Sequence, residues 1–286
     1  MVQFGLYKNS FENIKHSIDI ILSGVYAYEE KRKLLSKIMS LIDLTSLEGS
    51  DNDNNIIAVC KKAKGIKNIE KGLPNVAAVC FYPTFVALAK SQLPKSYGIN
   101  VASVAGAFPS GQSPLKVKLE EVKYAVDQGA DEIDMVIHRG KFLAGEFEHV
   151  HDEIAAIKEL CGEVKLKVIL ETGELQSVQN IRKASELAIN AGADFIKTST
   201  GKVQPAATVE AFYIMAETVK EYFDLTGKKI GLKPAGGIYT SEQALNYYRI
   251  VNAVLEKGWL HKNFFRIGAS RLVDNILDNF GNKIKK

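Results

Sequence analysis

Lys197 lies where a charged side chain is unusual, in the apolar segment Phe195–Thr198 that we predict to be a β-strand. Residues two apart on a strand point to the same face, so if Phe195 faces the interior, Lys197 does too. Two interpretations fit this spacing. The lysine could pack its stem against apolar neighbours and extend its amine to solvent at a sheet edge. It could instead be a desolvated, uncharged amine that acts as a nucleophile.

A second lysine, Lys233, ends the next apolar segment, Ile230–Lys233. Adjacent strands of a sheet lie about 4.8 Å apart, so two inward-facing lysines at neighbouring strand ends would repel each other while both are charged. A fold seldom keeps such a pair for stability, and groups with perturbed pKa values cluster at functional sites. The lysine pair therefore favours a catalytic role.

Polar residues on two earlier segments are expected to face the same interior. Asp134 interrupts the hydrophobic segment Glu132–Ile137. There it could pair with an interior lysine or carry protons, and the two roles are compatible. On the following segment, Lys167 shares a face with Glu171. We expect Lys167 to belong to the same polar network as Asp134.

Three glycine-containing turns follow the late segments and are expected to bind a phosphate. Glycine lets backbone N–H groups approach an anion, and the N-terminus of a following helix adds a favourable dipole. One such turn would more often be a plain loop, but three that converge, with basic residues beside them, favour a phosphate site. The expected contacts are Gly201, Lys202, Gly236, Gly237, Gly268, Ser270 and Arg271, and Thr200 is expected to contact the rest of the substrate.

The elements that carry these residues repeat a strand–loop–helix unit. The predicted strands are Leu41–Thr45, Val76–Phe81, Asn100–Ala105, Glu132–Ile137, Leu166–Glu171, Phe195–Thr198, Ile230–Lys233 and Phe264–Ile267. The predicted helices between and after them include Pro114–Gln128, Phe147–Leu160, Val178–Asn190, Val209–Tyr222, Glu242–Leu255 and Arg271–Phe280. Strands that alternate with helices of about ten to fifteen residues indicate βαβ units and a parallel sheet, and no GxGxxG motif supports a Rossmann fold.

We therefore predict an α/β fold, a single (β/α)8 TIM barrel over residues 41–281, with its chemistry at the C-terminal ends of the strands. A closed barrel has no sheet edge, which disfavours the interpretation of Lys197 as a solvent-reaching side chain. Residues 1–40 form a predicted N-terminal helical extension that contains the helix Glu29–Met39, and residues 282–286 form a basic tail.

Composition limits the function classes. The chain of 286 residues is 46% hydrophobic and carries a net charge of only +4, with no basic stripe interleaved with aromatic residues. Nucleic acid and membranes are therefore not expected partners, whereas a homodimer or higher homo-oligomer is compatible with the sequence. Three cysteines without a CxxC pair indicate a reducing, cytoplasmic location. His149 and His151 are i,i+2 on a predicted helix and cannot face one site, so neither a metal nor another cofactor is expected.

Several segments, in this order and with this spacing, resemble the deoxyribose-phosphate aldolase family, and the resemblance runs from about Leu41 to Leu277. The two lysine segments together are the most specific part of it. The matching segments are Asp43–Thr45, Val79–Pro83, Glu132–Val136, Leu166–Gly173, Ala193–Lys202, Gly231–Gly237 and Phe265–Ser270.

The resemblance implies a Schiff-base (class I) aldolase, a carbon–carbon lyase of deoxyribonucleotide catabolism. Such an enzyme reversibly cleaves 2-deoxy-D-ribose 5-phosphate to acetaldehyde and D-glyceraldehyde 3-phosphate. Lys197 would be the Schiff-base lysine, Lys233 would perturb it, and Asp134 would work with Lys233 through a water to move protons. Asp43 and Thr45 would contact substrate hydroxyls, and Cys80 would lie near the aldehyde, unless it is simply a small buried hydrophobe.

The resemblance and the residues leave alternatives. Arg271 stands where other members of the family have a small hydroxyl residue, so it either strengthens the phosphate grip or points to solvent. Another iminium-forming TIM-barrel lyase acting on a different aldehyde or keto sugar phosphate would share Lys197 but would not need Asp43–Thr45. A non-catalytic sugar-phosphate sensor would keep the glycine turns but would gain nothing from two facing lysines.

Overall fold

The sheet is a closed parallel barrel. The computed structural model describes residues 1–70 and 72–281, so the predicted basic tail lies outside the described residues. Its eight strands are β1 (Ile42–Thr45), β2 (Ala78–Phe81), β3 (Asn100–Ala105), β4 (Glu132–Val136), β5 (Lys165–Ile169), β6 (Phe195–Lys197), β7 (Gly231–Lys233) and β8 (Ile267–Ala269). They pair in chain order from β1 to β7, and β8 pairs with β1. Isolated parallel bridges from Leu232 to Phe265 and from Ala235 to Gly268 complete the circle.

Helices surround the sheet and account for most of the remaining chain. They are α1 (Phe11–Leu22), α2 (Tyr28–Met39), α3 (Asp53–Ile69), α4 (Val86–Gln92), α5 (Leu115–Asp127), α6 (Arg139–Leu143), α7 (Phe147–Cys161), α8 (Thr172–Leu175), α9 (Val178–Asn190), α10 (Val209–Thr226), α11 (Ser241–Val254) and α12 (Leu272–Gly281). The predicted (β/α)8 TIM barrel is confirmed. No helix in the described ranges is long and apolar enough to cross a membrane.

Local sequence explains where the late helices begin. Ser177, Thr208 and Thr240 each accept a hydrogen bond from a backbone N–H of the first turn that they precede, which satisfies a donor that the helix itself cannot pair. Thr240 also shares a reciprocal capping box with Gln243. These caps fix the entry of α9, α10 and α11 just after the loops that carry the candidate site.

The predicted eighth strand was wrong by three residues. We expected Phe264–Ile267, whereas β8 begins at Ile267. The preceding residues pair only with β7: Leu232 N–H donates to the Phe264 carbonyl over 2.9 Å, and Arg266 N–H donates to the Leu232 carbonyl over 3.0 Å. The hydrophobic pattern alone could not tell this one-sided pairing from a strand paired on both sides.

The N-terminal residues lie against the outer wall of the barrel. Helix α1 packs on α10 and α11, and α2 packs on α11 and α12. Before α1, the chain is tied to α9 and α10: the Val2 N–H donates to Asn190 over 2.9 Å, the Gly5 N–H donates to Glu221 over 2.6 Å, and the Tyr7 hydroxyl donates to Glu217.

Candidate active site

Strand register brings the two lysines together. Lys197 on β6 and Lys233 on β7 are directly opposite each other across the pair of strands, and their exposed fractions are only 2% and 1%. Both therefore face the barrel interior at neighbouring strand ends, as their spacing predicted. No sheet edge is present here for either side chain to reach.

Asp134 is the centre of the cluster. Its Oδ2 accepts from Lys197 Nζ and from Lys233 Nζ, each over 2.8 Å, and its Oδ1 accepts from Lys167 Nζ over 2.7 Å. The expected network of Asp134 and Lys167 is thus present in the fold. Asp134 and Lys233 are in direct contact here, and the relay through a water that the resemblance implies stays a prediction.

Three further ionised groups, Asp43, Glu132 and Arg266, lie beneath the lysines and complete the cluster. Arg266 donates to Asp43 over 2.6 Å and to Glu132 over 2.6 Å. Asp43 lies 2.5 Å from Lys233, and Glu132 lies 2.5 Å from Lys167. Because each carboxylate has at least two basic partners, the desolvation cost of burying these charges is offset by short ion pairs.

The network holds four basic groups and three carboxylates, so it carries one excess positive charge when every group is ionised. Its members are Asp43, Glu132, Asp134, Lys167, Lys197, Lys233 and Arg266, all nearly or fully buried. Loss of a single proton from one base would therefore make the cluster neutral.

Lys197 is the base whose surroundings favour that loss. Burial lowers the pKa of Lys197, and the Lys233 ammonium lowers it further, against the opposing pull of Asp134. Burial also acts on Lys167 and Lys233, but their carboxylate neighbours outweigh it and raise both pKa values. Burial would raise the pKa of Asp134, yet Lys167, Lys197 and Lys233 hold it well below its usual range. The neutral amine is thus expected at Lys197, beside a carboxylate that stays ionised.

A cavity of about 210 Å³ opens above Lys197 at the C-terminal end of the strands. It brings together Thr45, Lys197, Thr200 and the seven residues expected to bind phosphate, namely Gly201, Lys202, Gly236, Gly237, Gly268, Ser270 and Arg271. Asp43, Cys80, Asp134, Lys167 and Lys233 do not line it. They lie beneath the cavity, so Asp43 contacts Lys233 but not the cavity itself.

The glycines lining this cavity allow close approach of backbone. Gly236 has φ +86°, and a Cβ there would come within 2.9 Å of the Gly201 Cα and 2.8 Å of Ala206 Cβ. A side chain at this position would therefore separate the two turns. The contact keeps both turns on one side of the cavity, with backbone N–H groups available to an anion.

Two basic side chains stand at the rim, and both have partners. Lys202 Nζ lies 3.2 Å from both carboxylate oxygens of Glu48. The guanidinium of Arg271 lies 5.6 Å from the centre of the Tyr239 ring and is exposed. Arg271 thus lines the cavity and also faces solvent.

Cys80 is fully buried beneath the cavity beside Ala102 and Val104. Burial, together with the charge of Asp134, raises the pKa of its thiol to about 11. The side chain is therefore a neutral thiol at physiological pH, and its surroundings are those of a small hydrophobic residue.

Glu171 is a site residue that strand alternation misassigned. Strand β5 ends at Ile169, and Glu171 has a left-handed backbone (φ 55°) that turns it away from Lys167. Its buried carboxylate accepts from the Thr200 N–H over 3.1 Å and from the Thr200 hydroxyl over 2.5 Å, and it pairs with Arg139 over 3.3 Å. In the sequence, only the Thr172-Gly173 pair that follows Glu171 indicated that the chain turns at this point.

The buried lysine network and the glycine-lined cavity lie at the C-terminal end of a (β/α)8 barrel, which is where enzymes of this fold have their active sites. Residues 37–257 match the model of the DeoC/LacD family aldolases. The chain belongs to that family.

Named relatives agree with this assignment. The chain is 45% identical over 253 residues to deoxyribose-phosphate aldolase of Homo sapiens, which covers 85% of this chain and 79% of the relative. It is 42% identical over 251 residues to deoxyribose-phosphate aldolase of Agrobacterium fabrum, covering 87% and 93%. The solved tetrameric deoxyribose phosphate aldolase of Aeropyrum pernix has the same fold, with a TM-score of 0.68 and 24% identity over 95% of this chain and 98% of that one.

Proposed function

We propose that this chain is a class I aldolase that reversibly cleaves 2-deoxy-D-ribose 5-phosphate to acetaldehyde and D-glyceraldehyde 3-phosphate through a Schiff base at Lys197. The observation that carries this proposal is electrostatic and geometric together. Of the four bases in the buried network, Lys197 alone has a lowered pKa, and it alone lines the cavity. The family and its named relatives support the substrate.

The neutral amine of Lys197 would attack the aldehyde carbon of the open-chain sugar and, with loss of water, form an iminium. The carbon–carbon bond between the second and third carbons then breaks as the third-carbon hydroxyl loses its proton. The bonding electron pair moves toward the iminium and leaves an enamine, while D-glyceraldehyde 3-phosphate departs. Protonation of the terminal enamine carbon and hydrolysis release acetaldehyde and return Lys197.

Asp134 and Lys233 would transfer the protons in these reaction steps. Asp134 contacts both lysines through one oxygen, so it can pass a proton between the reacting amine and Lys233 without diffusion. Lys233 stays charged, which keeps Lys197 neutral and favours electron flow toward the nitrogen. Asp43 pairs with Lys233 beneath the cavity, and Thr45 and Thr200, which line the cavity, would contact substrate oxygens.

The phosphate would bind at the three turns. Lys202 and the backbone N–H groups around Gly201, Gly236, Gly237 and Ser270 offer charge-assisted hydrogen bonds to its oxygens. Gly268 lets the chain pack closely against Ala235 at this cavity, since a Cβ on Gly268 would lie 2.8 Å from the Cβ of Ala235. The amine and the anion site therefore share one cavity, as a sugar phosphate with an aldehyde at its other end requires.

Reductive trapping tests this function. Acetaldehyde plus borohydride should add a two-carbon unit to Lys197, located by peptide mapping, and Lys197→Leu should abolish both the label and sugar-phosphate cleavage. Lys165→Leu is a matched control, because Lys165 is a half-buried lysine on the neighbouring strand outside the cavity. Label confined to surface lysines, or full activity of Lys197→Leu, would refute the proposal.

An iminium supplies the electron sink, so we expect chelators to leave activity unchanged; a loss with EDTA that zinc restores would favour a metal-dependent aldolase instead.

We further propose that the enzyme is homo-oligomeric and cytoplasmic. The tetramer described for Aeropyrum pernix supports the homo-oligomer, and the three free, buried cysteines support a cytoplasmic location. Sedimentation at several protein concentrations tests the assembly.

A further inference from the structure

A second cavity, of about 690 Å³, lies at the opposite end of the barrel, where the strands begin. The C-terminal turns of α2 and α3, the loops before β2 and β3, and the loop before β8 surround it. Its size is that of a small-molecule site. No step of the proposed reaction uses it, because the cavity above Lys197 lies at the other ends of the strands.

Four basic side chains line this lower cavity: Lys37, Lys67, His261 and Lys262. No acidic side chain lines it, and within residues 1–70 and 72–281 none of the four forms an ion pair with a carboxylate. The chain as a whole carries a net charge of only +4, so this concentration of three lysines without a carboxylate partner is local; Lys262 Nζ donates to the Gly98 carbonyl over 2.8 Å. A concave surface lined by one sign of charge concentrates the opposite ion.

The pKa of His261 reflects the positive charge around this cavity. Burial, followed by the charges of Lys37, Lys262, Lys165 and Arg266, lowers its pKa. Its Nδ1 accepts from the Asn263 N–H over 3.2 Å, so in the neutral ring the other nitrogen carries the proton and can donate to a ligand. An anion in the cavity would oppose the field that His261 experiences.

We propose that this lower cavity, defined by Lys37, Lys67, His261 and Lys262, binds a small polyphosphate anion. Two adjacent phosphoryl groups would bring several negative oxygens within reach of separate basic side chains, which a single carboxylate could not do. The half-exposed ring of Tyr97 at the same cavity offers a surface for an attached planar group. The ligand is therefore either a free polyphosphate or one carried by a nucleoside.

The experiment uses the full chain with inorganic pyrophosphate as the probe. The ring protons of His261 would be titrated by NMR with and without pyrophosphate, with potassium chloride at matched ionic strength as the reference. We expect the pKa of His261 to rise by about half a unit or more, as for an opposite charge a few ångströms away in partly hydrated surroundings. His16, which is exposed on α1, is the internal control and should not move.

Two sets of variants separate the two anion sites. Lys37→Met combined with Lys67→Met should weaken pyrophosphate binding, measured by calorimetry, at least tenfold while sugar-phosphate cleavage is retained. Lys202→Met, at the upper cavity, should leave the His261 shift intact. Comparing ADP with pyrophosphate then decides the source: tighter binding of ADP indicates a nucleoside-borne diphosphate, and equal binding a free one.

Three outcomes would overturn the proposal. They are an equal shift at His16 and His261, binding that does not saturate, and binding that the double variant leaves unchanged. None of them bears on Lys197, because the lower cavity is independent of the proposed reaction.

Discussion

At the scale of single residues, the key property of the site is its odd number of charges. Four bases face three carboxylates in an interior with little exposure to solvent, so one base can release its proton at little electrostatic cost. The surrounding contacts select Lys197 because it has only one carboxylate partner, whereas Lys167 and Lys233 each have two within 2.8 Å. The nucleophilicity that we propose for Lys197 is thus a property of the whole cluster.

Removing the charge of Lys233 should make Lys197 a weaker nucleophile at neutral pH. The Lys233 ammonium lowers the pKa of Lys197, so in Lys233→Leu that pKa should rise and the neutral fraction at pH 7 should fall. We expect adduct formation with acetaldehyde to slow roughly tenfold or more and its pH profile to move to higher pH. Single-turnover trapping between pH 6 and 10 measures both. A normal rate with an unshifted profile would mean that Lys233 has another purpose.

Asp134→Asn provides the contrasting variant. The carboxylate of Asp134 raises the pKa of Lys197, so its removal should not hinder formation of the adduct. It should instead slow proton transfer to the enamine, seen as slower exchange of deuterium from solvent into acetaldehyde. Equal damage to both steps in both variants would indicate a general collapse of the network rather than separate roles.

The rim residues allow the contribution of phosphate binding to be isolated. We expect Lys202→Met to raise KM for the phosphorylated sugar roughly tenfold, the scale of one lost charge-assisted hydrogen bond, with little effect on unphosphorylated deoxyribose. Arg271→Ser should act in the same direction but more weakly, because Arg271 is exposed and rests on Tyr239. Steady-state kinetics on both sugars measures the difference.

Glu48→Gln is the matched control, since it frees Lys202 from its ion pair and removes a nearby negative charge. It should leave KM for the phosphorylated sugar unchanged or lower it. A rise in KM in this variant, or equal losses on both sugars in Lys202→Met, would argue that these residues support the fold instead.

At the scale of elements, strand alternation explains why the inward orientation of the two lysines could be predicted. A period of two fixes the face of every residue within a strand. The inward face of Lys197 could therefore be predicted from that of Phe195, and the proximity of Lys233 could be predicted because its strand is the neighbouring one. The same rule failed at Glu171, because β5 had already ended and a left-handed residue changed the direction of the side chain. Periodicity predicts a face only while the strand continues.

Glu171 should control the loop that carries Thr200 and Lys202. Its carboxylate holds the backbone and hydroxyl of Thr200 and is itself paired with Arg139. In Glu171→Ala these donors lose their acceptor, so we expect KM for the phosphorylated sugar to rise several-fold while reductive trapping at Lys197 with acetaldehyde is preserved. The two assays together distinguish loop positioning from damage to the barrel.

Glu174→Ala is the control for that variant, because Glu174 pairs with the same Arg139 at 2.6 Å but does not contact Thr200. Its KM should stay close to that of the parent protein. If the two variants behave alike, Arg139 rather than the Thr200 loop is the element that matters.

At the scale of the whole molecule, Arg266, the residue just before β8, is joined to β1 and β4 through buried ion pairs with Asp43 and Glu132. Breaking a buried pair by removing one partner typically costs about 3–5 kcal/mol, so Arg266→Met should lower the free energy of unfolding by about that amount in urea titrations. Lys62→Met, which breaks a surface pair with Asp274, should change it by no more than about 1 kcal/mol. Similar losses in both would show that burial does not matter.

The acid dependence of stability should reveal the same ion pairs. Their basic neighbours hold the pKa values of Asp43, Glu132 and Asp134 below the usual range, against the effect of burial. Depressed carboxyl pKa values contribute stability above the unfolded pKa of about 4, and that stability is lost as pH falls through the folded pKa. Arg266→Met should raise the pKa of Glu132 and Asp43 and therefore unfold at a higher pH than the parent protein.

The overall architecture was predictable because it depends on repetition, whereas the ion network depends on geometry between distant strands. Eight strand–helix units and three glycine turns are each visible in short windows of sequence. That one oxygen of Asp134 serves two lysines, and that Arg266 supports Asp43 and Glu132, follows only once the barrel closes. Arg266 lay just before β8 in a segment that we had assigned to the strand, and nothing local indicated its inward direction.

The position of Arg266 near the end of the chain affects how the protein is made. The ribosome produces every other member of the network first, so a nascent chain that has completed β7 holds Asp43 and Glu132 without their guanidinium. In such a chain Asp43 keeps Lys233 as a partner and Glu132 keeps Lys167, but nothing yet joins β7 to β1, so the interior should stay hydrated until β8 emerges. Translation that stops before residue 266 would therefore leave the sheet open between β7 and β1, rather than give a closed barrel with a weakened site.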